Sequence, residues 1–310
     1  SFIDWRLGAD GAPPLAAAAP LAAGPVVVGP RAAAQAASAI PASADRTAVQ
    51  RRLETELRAL ERRISAEVRP SRSTGPAFAR VALPPAVGSL RGFSVVAAVD
   101  GSRFEPVTAR LRYAGDHLLV YTDTAGGANQ VLADAKLTSL AQLMDRDLYG
   151  LTVGAFGAEP DVDGNGRVIV LLTPVVNRMS KASECVQRGY VTGFFYGLDE
   201  LEREPDGNKG EIFYAFVPDS AGRHSCAHAE SDVVRLLQGT FVHELQHLIS
   251  FNQHVLSRGG EVEQTWLNEG LSHIAEELAS KMYEARFPAP LGRSTKEQIF
   301  PDSAGPFIAP

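Results

Sequence analysis

The sequence predicts an α+β protein, strand-rich in its N-terminal part and helical towards its C-terminus, and three observations support this. Between about Ala77 and Asp123 apolar residues alternate, as in FSVVAAV and HLLVYTD, with the period of two expected of half-buried strands. GTFVHELQHLISF places Phe241, Val242, Leu245, Leu248 and Ile249 at i, i+1, i+4, i+7 and i+8, the stripe of a helix packed on a core. TWLNEGLSHIAEELASKMY repeats the helical period with Leu267, Leu271, Ile274, Ala275, Leu278 and Met282.

The elements follow in order along the chain. Residues 1–42 form an Ala/Pro-rich arm or linker: GAPPLAAAAPLAAGPVVVGP is broken by Pro13, Pro14, Pro20, Pro25 and Pro30, so it is no membrane span. Residues 43–76 form an amphipathic helix, because SADRTAVQRRLETELRALERRISAEV sets Val49, Leu53, Leu57, Leu60, Ile64 and Val68 on one face among mixed charges. Such a helix docks on the body of the protein, pairs with another chain or serves as a pro-segment, and docking is the simplest of the three. Residues 77–226 form the strand-rich region, with a helix near Leu137 to Tyr149 and further strands at Arg167–Thr173 and Glu211–Val217. Residues 227–310 hold the two C-terminal helices.

Composition narrows the function. The 310 residues carry a net charge of −6 and are 45% hydrophobic, ordinary for a soluble chain. The acidic balance, with a pI near 5.7, argues against a nucleic-acid partner. The first residue is Ser1, so any export signal is expected to have been removed or not included.

The five residues HELQH, His243 to His247, carry the clearest chemistry. Histidines at i and i+4 project from one side of a helix, one turn apart, where two imidazoles can meet one zinc ion, and the Glu244 between them reaches a water on that ion. The alternative is a pair of core histidines satisfied by carbonyls. A third His ligand in one zincin class would need Gly at 250 and His at 253. Ser250 and Gln253 stand there and His254 is out of register, which disfavours that class. Glu269, 22 residues beyond His247, lies off the second apolar stripe on a face shared with His273 and Glu276. Two histidines and a glutamate make a three-ligand zinc site with a fourth position open to water. Glu261 and Glu263 are rival ligands in the connecting segment, and the alternative for Glu269 is a solvated carboxylate at a helix start.

GTFVHELQHLISF and WLNEGLSHIAEEL together resemble the gluzincin superfamily of zinc peptidases, and most of all the bacterial hyicolysin family. FEPVTARLRYAGDHLLVYTD, DVDGNGRVIVLLTPVVN, VTGFFYGLDELE and EIFYAFVPD add supporting pattern in that family's order, so the likeness covers roughly residues 90 to 285. The resemblance implies a zincin-like fold and a secreted or cell-envelope metalloendopeptidase acting on a peptide or protein substrate. His243, His247 and Glu269 would bind zinc, with Glu244 the general base for a zinc-activated water. It also implies that the sheet edge before the zinc helix, read here as EIFYAFVPD, pairs with extended substrates. This chain departs from the pattern where thermolysin-like gluzincins carry an acid that orients the first zinc histidine, because His273 stands there. Glu276 is the nearest substitute on that face. Tyr283 is the candidate oxyanion donor, as the one tyrosine after Glu269. The rival from another class is a non-catalytic exported binding or surface protein whose zinc site is structural or vestigial, marked by a closed fourth ligand position.

Three smaller features complete the reading. Cys185 and Cys226 are the only cysteines, and an isolated pair in an exported protein is expected to be bonded, against the alternative of two buried thiols. PDVDGNGR opens like a calcium loop, with Asp161, Asp163 and Asn165 at alternate positions and Gly166 at the sixth. Leu172 at the twelfth excludes a complete EF-hand, leaving a partial calcium site completed from elsewhere or a plain turn. His224 and His228 flank Cys226 and are expected to be loop histidines rather than a second metal site.

Overall fold

The computed structural model describes residues 47–65, 83–127, 130–201 and 207–286. The arm expected at residues 1–42 and the end of the helix expected beyond Ser65 lie outside them. Three strands, β1 (Leu90–Val96), β2 (Phe104–Ala114) and β3 (Leu118–Asp123), form an antiparallel meander. Next to β3 lies β4 (Val168–Leu172), followed in space by β6 (Ile212–Ala215), both parallel to it. The outer edge is β5 (Gly193–Phe195), antiparallel to β6, which makes a mixed sheet of order β1-β2-β3-β4-β6-β5. Every residue of β3, β4 and β6 is buried, as expected of central strands covered on both faces.

Between β3 and β4 the chain crosses over through α2 (Asp134–Leu143), a π-helical turn at Met144–Leu148 and α3 (Tyr149–Phe156). Short helices α4 (Pro174–Arg178) and α5 (Cys185–Arg188) follow. Two long helices, α6 (Glu230–Phe251) and α7 (Thr265–Arg286), come last among the described residues, joined through a second π turn at Asn252–Leu256. One apolar core runs from Val95 and Leu119 through Ile169 and Phe213 to Phe241, Leu245 and Ala279. Sheet and helix meet at the Phe213 and Phe241 rings, 6.0 Å apart. Ahead of the sheet, α1 (Ala48–Ser65) docks on this body with Leu53 and Leu57 fully buried.

Two expectations need correction. The strand read from EIFYAFVPD forms at Ile212–Ala215, yet it is interior, and the edge is the unforeseen β5. Three residues, GFF, are too few to show an alternation. They pair closely because Gly193 has no Cβ, which would lie 2.5 Å from the Phe213 ring and 2.7 Å from the Tyr214 carbonyl. In α7 the buried face is Asn268, Ser272, Ala275, Ala279 and Tyr283, whereas Leu267 and Ile274 of the expected apolar stripe are 38% and 51% exposed. Small and polar residues face α6 because α6 itself turns polar groups that way.

Candidate metal centre

The partners of α6 and α7 run in opposite order. Asn268 meets Ser250, Ser272 meets Gln246, Glu276 meets His243 and Tyr283 meets Gln238, so the two helices are antiparallel. This register carries Glu269 to the turn that bears His243 and His247. Oε2 of Glu269 lies 3.4 Å from Nε2 of His243 and 3.5 Å from Nε2 of His247. Ligand atoms on a tetrahedral zinc with bonds of 2.0–2.2 Å stand ~3.4 Å apart, so the three side chains fit one ion. Unmet bonding capacity agrees: Nε2 of His243, Oε1 of Glu244 and Oε1 of Glu269 are buried without a hydrogen-bond partner.

Behind these groups, Oε1 of Glu276 lies 2.6 Å from Nδ1 of His243, which leaves Nε2 pointing to the centre. The ring of His273 packs edge-on against His243, and its Nδ1 is 3.6 Å from the same Glu276 oxygen. The Ser272 hydroxyl donates to Gln246 (2.6 Å) and rests against the His247 ring, 3.1 Å from Nδ1. Glu244 accepts the backbone N–H of Phe195 on Oε2 at 2.9 Å, which ties the centre to β5.

Burial and mutual charge perturb the titratable groups of the centre. Burial opposes a charge on His243, but Glu269, Glu276 and Glu244 outweigh it and hold its pKa well above the usual value. His247, buried and close to Arg58 and His243, is pushed down to about 4 although Glu269 works against the shift. Burial alone would raise Glu269, yet the two histidines hold it well below the usual carboxylate range. Glu276 is depressed to about 2 against its own burial by His243 and His273. Glu244 goes the other way, pushed up to about 8 by burial.

A further carboxylate comes from α1. An oxygen of Glu54 lies within 4.8 Å of ligand atoms of His243 and Glu244, and Gln50 orients it with a 2.8 Å bond. The same helix covers the outer edge of β5. Gln50 accepts from Thr192 N–H (3.1 Å) and donates to Gly193 O (2.9 Å), Arg58 donates to Phe195 O (3.2 Å), and Glu61 accepts from Gly197 N–H (3.1 Å). Arg58 and Glu61, each 2% exposed, pair with each other at 2.9 Å. The sequence reading missed all four residues. Their one signal is spacing: Gln50, Glu54, Arg58 and Glu61 recur at i, i+4, i+8 and i+11, a polar line beside the apolar stripe.

Other candidate residues stand elsewhere. Tyr283 is a correction: its hydroxyl donates to Gln238, and it sits fourteen residues and therefore ~21 Å along α7 from Glu269, too far to face the centre. Glu263 accepts from Ser250 (2.6 Å) and Asn268 (3.0 Å) and lies 3.1 Å from Nε2 of His254, fastening the connection between the helices, and Glu261 is exposed. Asp161, Asp163 and Asn165 occupy the loop before β4, where the two aspartates meet Glu211 rather than the histidines. Cys185 and Cys226 form a disulfide with Cα atoms 5.7 Å apart. The His228 ring packs on Tyr190 and the His224 N–H donates to Asp219, and neither histidine joins a metal-binding cluster among the described residues.

No protein-family model matches the chain. Over 175 residues it is 26% identical to the neutral metalloprotease ShpI of Staphylococcus hyicus, a match that covers 56% of this chain. The matched stretch spans 36% of that relative's length, and what it supports is a distant relationship to a metalloprotease.

Proposed function

We propose that this chain is a zinc-dependent endopeptidase of gluzincin type with a zincin-like fold, exported to the cell envelope or beyond, where it hydrolyses peptide bonds in a peptide or protein substrate. The observation that carries this reading is the meeting of His243, His247 and Glu269 ligand atoms within 4.8 Å of one another, with Glu244 beside them. The metalloprotease relative and the disulfide support it. No helix among the described residues is long and apolar enough to cross a membrane.

His243, His247 and Glu269 would hold the ion, and zinc bound there would bring the pKa of a water towards ~7 and polarise the scissile carbonyl. Glu276 fixes the His243 ring in the orientation that presents Nε2. Glu244 is held on Oε2 by Phe195 N–H, so its unpartnered Oε1 is the atom that accepts the water's proton and passes it to the leaving nitrogen. Burial makes that carboxylate more basic than a solvated glutamate.

Extended peptides add to an exposed sheet edge through its backbone groups. On β5 those groups, Gly193 O and Phe195 O, are taken by Gln50 and Arg58. The reading therefore includes α1 as a cover, in the manner of a pro-segment, that leaves before substrate enters. A second reading is favoured by Glu54: a zinc site closed by this carboxylate would be structural, in a non-catalytic binding or surface protein. Two measurements separate them, zinc content and hydrolysis of a denatured protein, on the intact chain and on a chain cut at a protease site inserted between residues 66 and 82. The peptidase reading expects hydrolysis once α1 is released and loss of zinc in Glu269→Ala. The structural reading expects no hydrolysis in either form and loss of zinc in Glu54→Ala.

A further inference from the structure

The DGNG loop before β4 folds back on itself through two left-handed glycines, Gly164 (φ 70°) and Gly166 (φ 66°). Asp161 accepts from Gly166 N–H at 2.9 Å and Asp163 from Asn165 N–H at 3.1 Å, which sets the two carboxylates on one side of the loop. By itself this is a turn with acidic residues. What changes its meaning is Glu211, the residue before β6. Its Oε1 accepts Val162 N–H at 2.7 Å, and its carboxylate meets those of Asp161 and Asp163 with oxygens within 4.8 Å of one another.

Glu211 is 1% exposed and its Oε2 has no hydrogen-bond partner. Beside it stands Glu200, 4% exposed, with both carboxylate oxygens unpartnered. Glu200 lines a small cleft together with Val162 of the loop, Leu201 and Lys209. Oδ1 of Asn165 is also buried without a partner. Arg91 is 3.6 Å from Asp163. Two buried carboxylates with open lone pairs are costly to leave in this state, and either protons or a cation must meet them. Burial pushes Glu211 up to about 8, and it pushes Glu200 well above the usual range, with the charge of Glu211 adding to it.

We propose that Asp161, Asp163 and Glu211 bind one calcium ion, with the buried Glu200 carboxylate adding negative charge nearby. The donor set is entirely oxygen and mostly anionic, which suits a hard divalent cation and selects against zinc. Its members are irregularly spaced on a loop and one other segment, which suits the flexible shell of calcium better than the strict octahedron of magnesium. The carboxylate missing at Leu172, which is buried in β4, is replaced by Glu211 just ahead of β6. Calcium there would pin the loop before β4 to the start of β6, a structural role that is independent of the zinc-peptidase reading.

Terbium titration and thermal melting of the full chain test this, after dialysis against EGTA and reloading with one equivalent of zinc. The expected result is saturable terbium luminescence at one ion per chain, displaced by calcium and not by equal magnesium, with melting raised by at least 5 °C in millimolar calcium. Glu211→Gln and Asp163→Asn should each weaken calcium at least tenfold and remove most of the shift. Glu211→Gln should melt no lower than wild type in EGTA, because it replaces a buried carboxylate that the empty site must hold protonated with a neutral group of the same shape, so loss of binding there cannot be ascribed to misfolding. Absence of terbium binding, or a calcium shift of equal size in both variants, overturns the proposal.

Discussion

Glu276 and His243 lie 2.6 Å apart between Oε1 and Nδ1, and Glu276 follows Glu269 by seven residues, two turns along the same face of α7. One face of one helix thus supplies both a candidate ligand and the group that aims another. Glu276→Gln keeps the shape but removes the charge, and partners of this kind are worth 10-fold to 100-fold in metal affinity. The variant should fold with unchanged helix content and bind zinc about 10-fold to 100-fold more weakly. Wild-type affinity in competition with a chromophoric chelator would contradict the role given to Glu276.

The disulfide closes a loop with a sequence separation of 41 between Cys185 and Cys226, tying the short helix α5 to the segment ahead of α6. In the chain-entropy model a loop of that length stabilises by about 4 kcal/mol. Cys185→Ser/Cys226→Ser should lose stability of that order in urea unfolding while keeping zinc. A change under about 1 kcal/mol would mean that the bond constrains little that folding does not already constrain.

Docking of α1 should depend on pH, with a definite sign. Burial pushes the Glu61 carboxyl from 4.5 to about 7, against the pull of Arg58 and the Gly197 N–H, and Glu269 adds to the rise. Burial also raises Glu54, with Glu269 adding to it. The docked helix therefore holds protons that the released helix gives up. The part of docking owed to Glu61 is fully present below pH 4.5, weakens as pH rises towards about 7, and then levels off, and Glu54 adds loss of the same sign. Amide-exchange protection of α1, corrected for intrinsic rates, should fall over that window. Glu61→Gln should shrink the slope and leave the part owed to Glu54. Protection that rises with pH would reverse the argument.

His243, Glu244 and His247 were legible because a spacing of four forces two side chains onto one helical face whatever surrounds them. Glu269 was legible through its motif, and Glu276 through its face. Less could be read where long-range pairing decides the outcome. Glu54, Arg58 and Glu61 look like the solvated side of an amphipathic helix, and only distant partners make them interior: His243 and Glu244 for Glu54, and β5 with the turn after it, 136 residues away along the chain at the Gly197–Glu61 bond, for the other two. Glu211 is one more strand-end carboxylate until the fold brings it to the Asp161 loop. Leu267 and Ile274 misled because hydropathy marks an apolar stripe without showing which stripe meets a neighbour. Tyr283 is the one tyrosine after Glu269 in the sequence, and that position carries no information on distance.

The most direct measurement is zinc content and peptide hydrolysis of Glu244→Gln beside the parent, both after release of α1. If Glu244 is the base and not a ligand, the variant should keep about one zinc per chain and lose hydrolysis by ~10²-fold to 10⁴-fold, because glutamine fills the same space and cannot take the proton. Near-full activity in Glu244→Gln, or a parent chain that binds no zinc, would contradict the account.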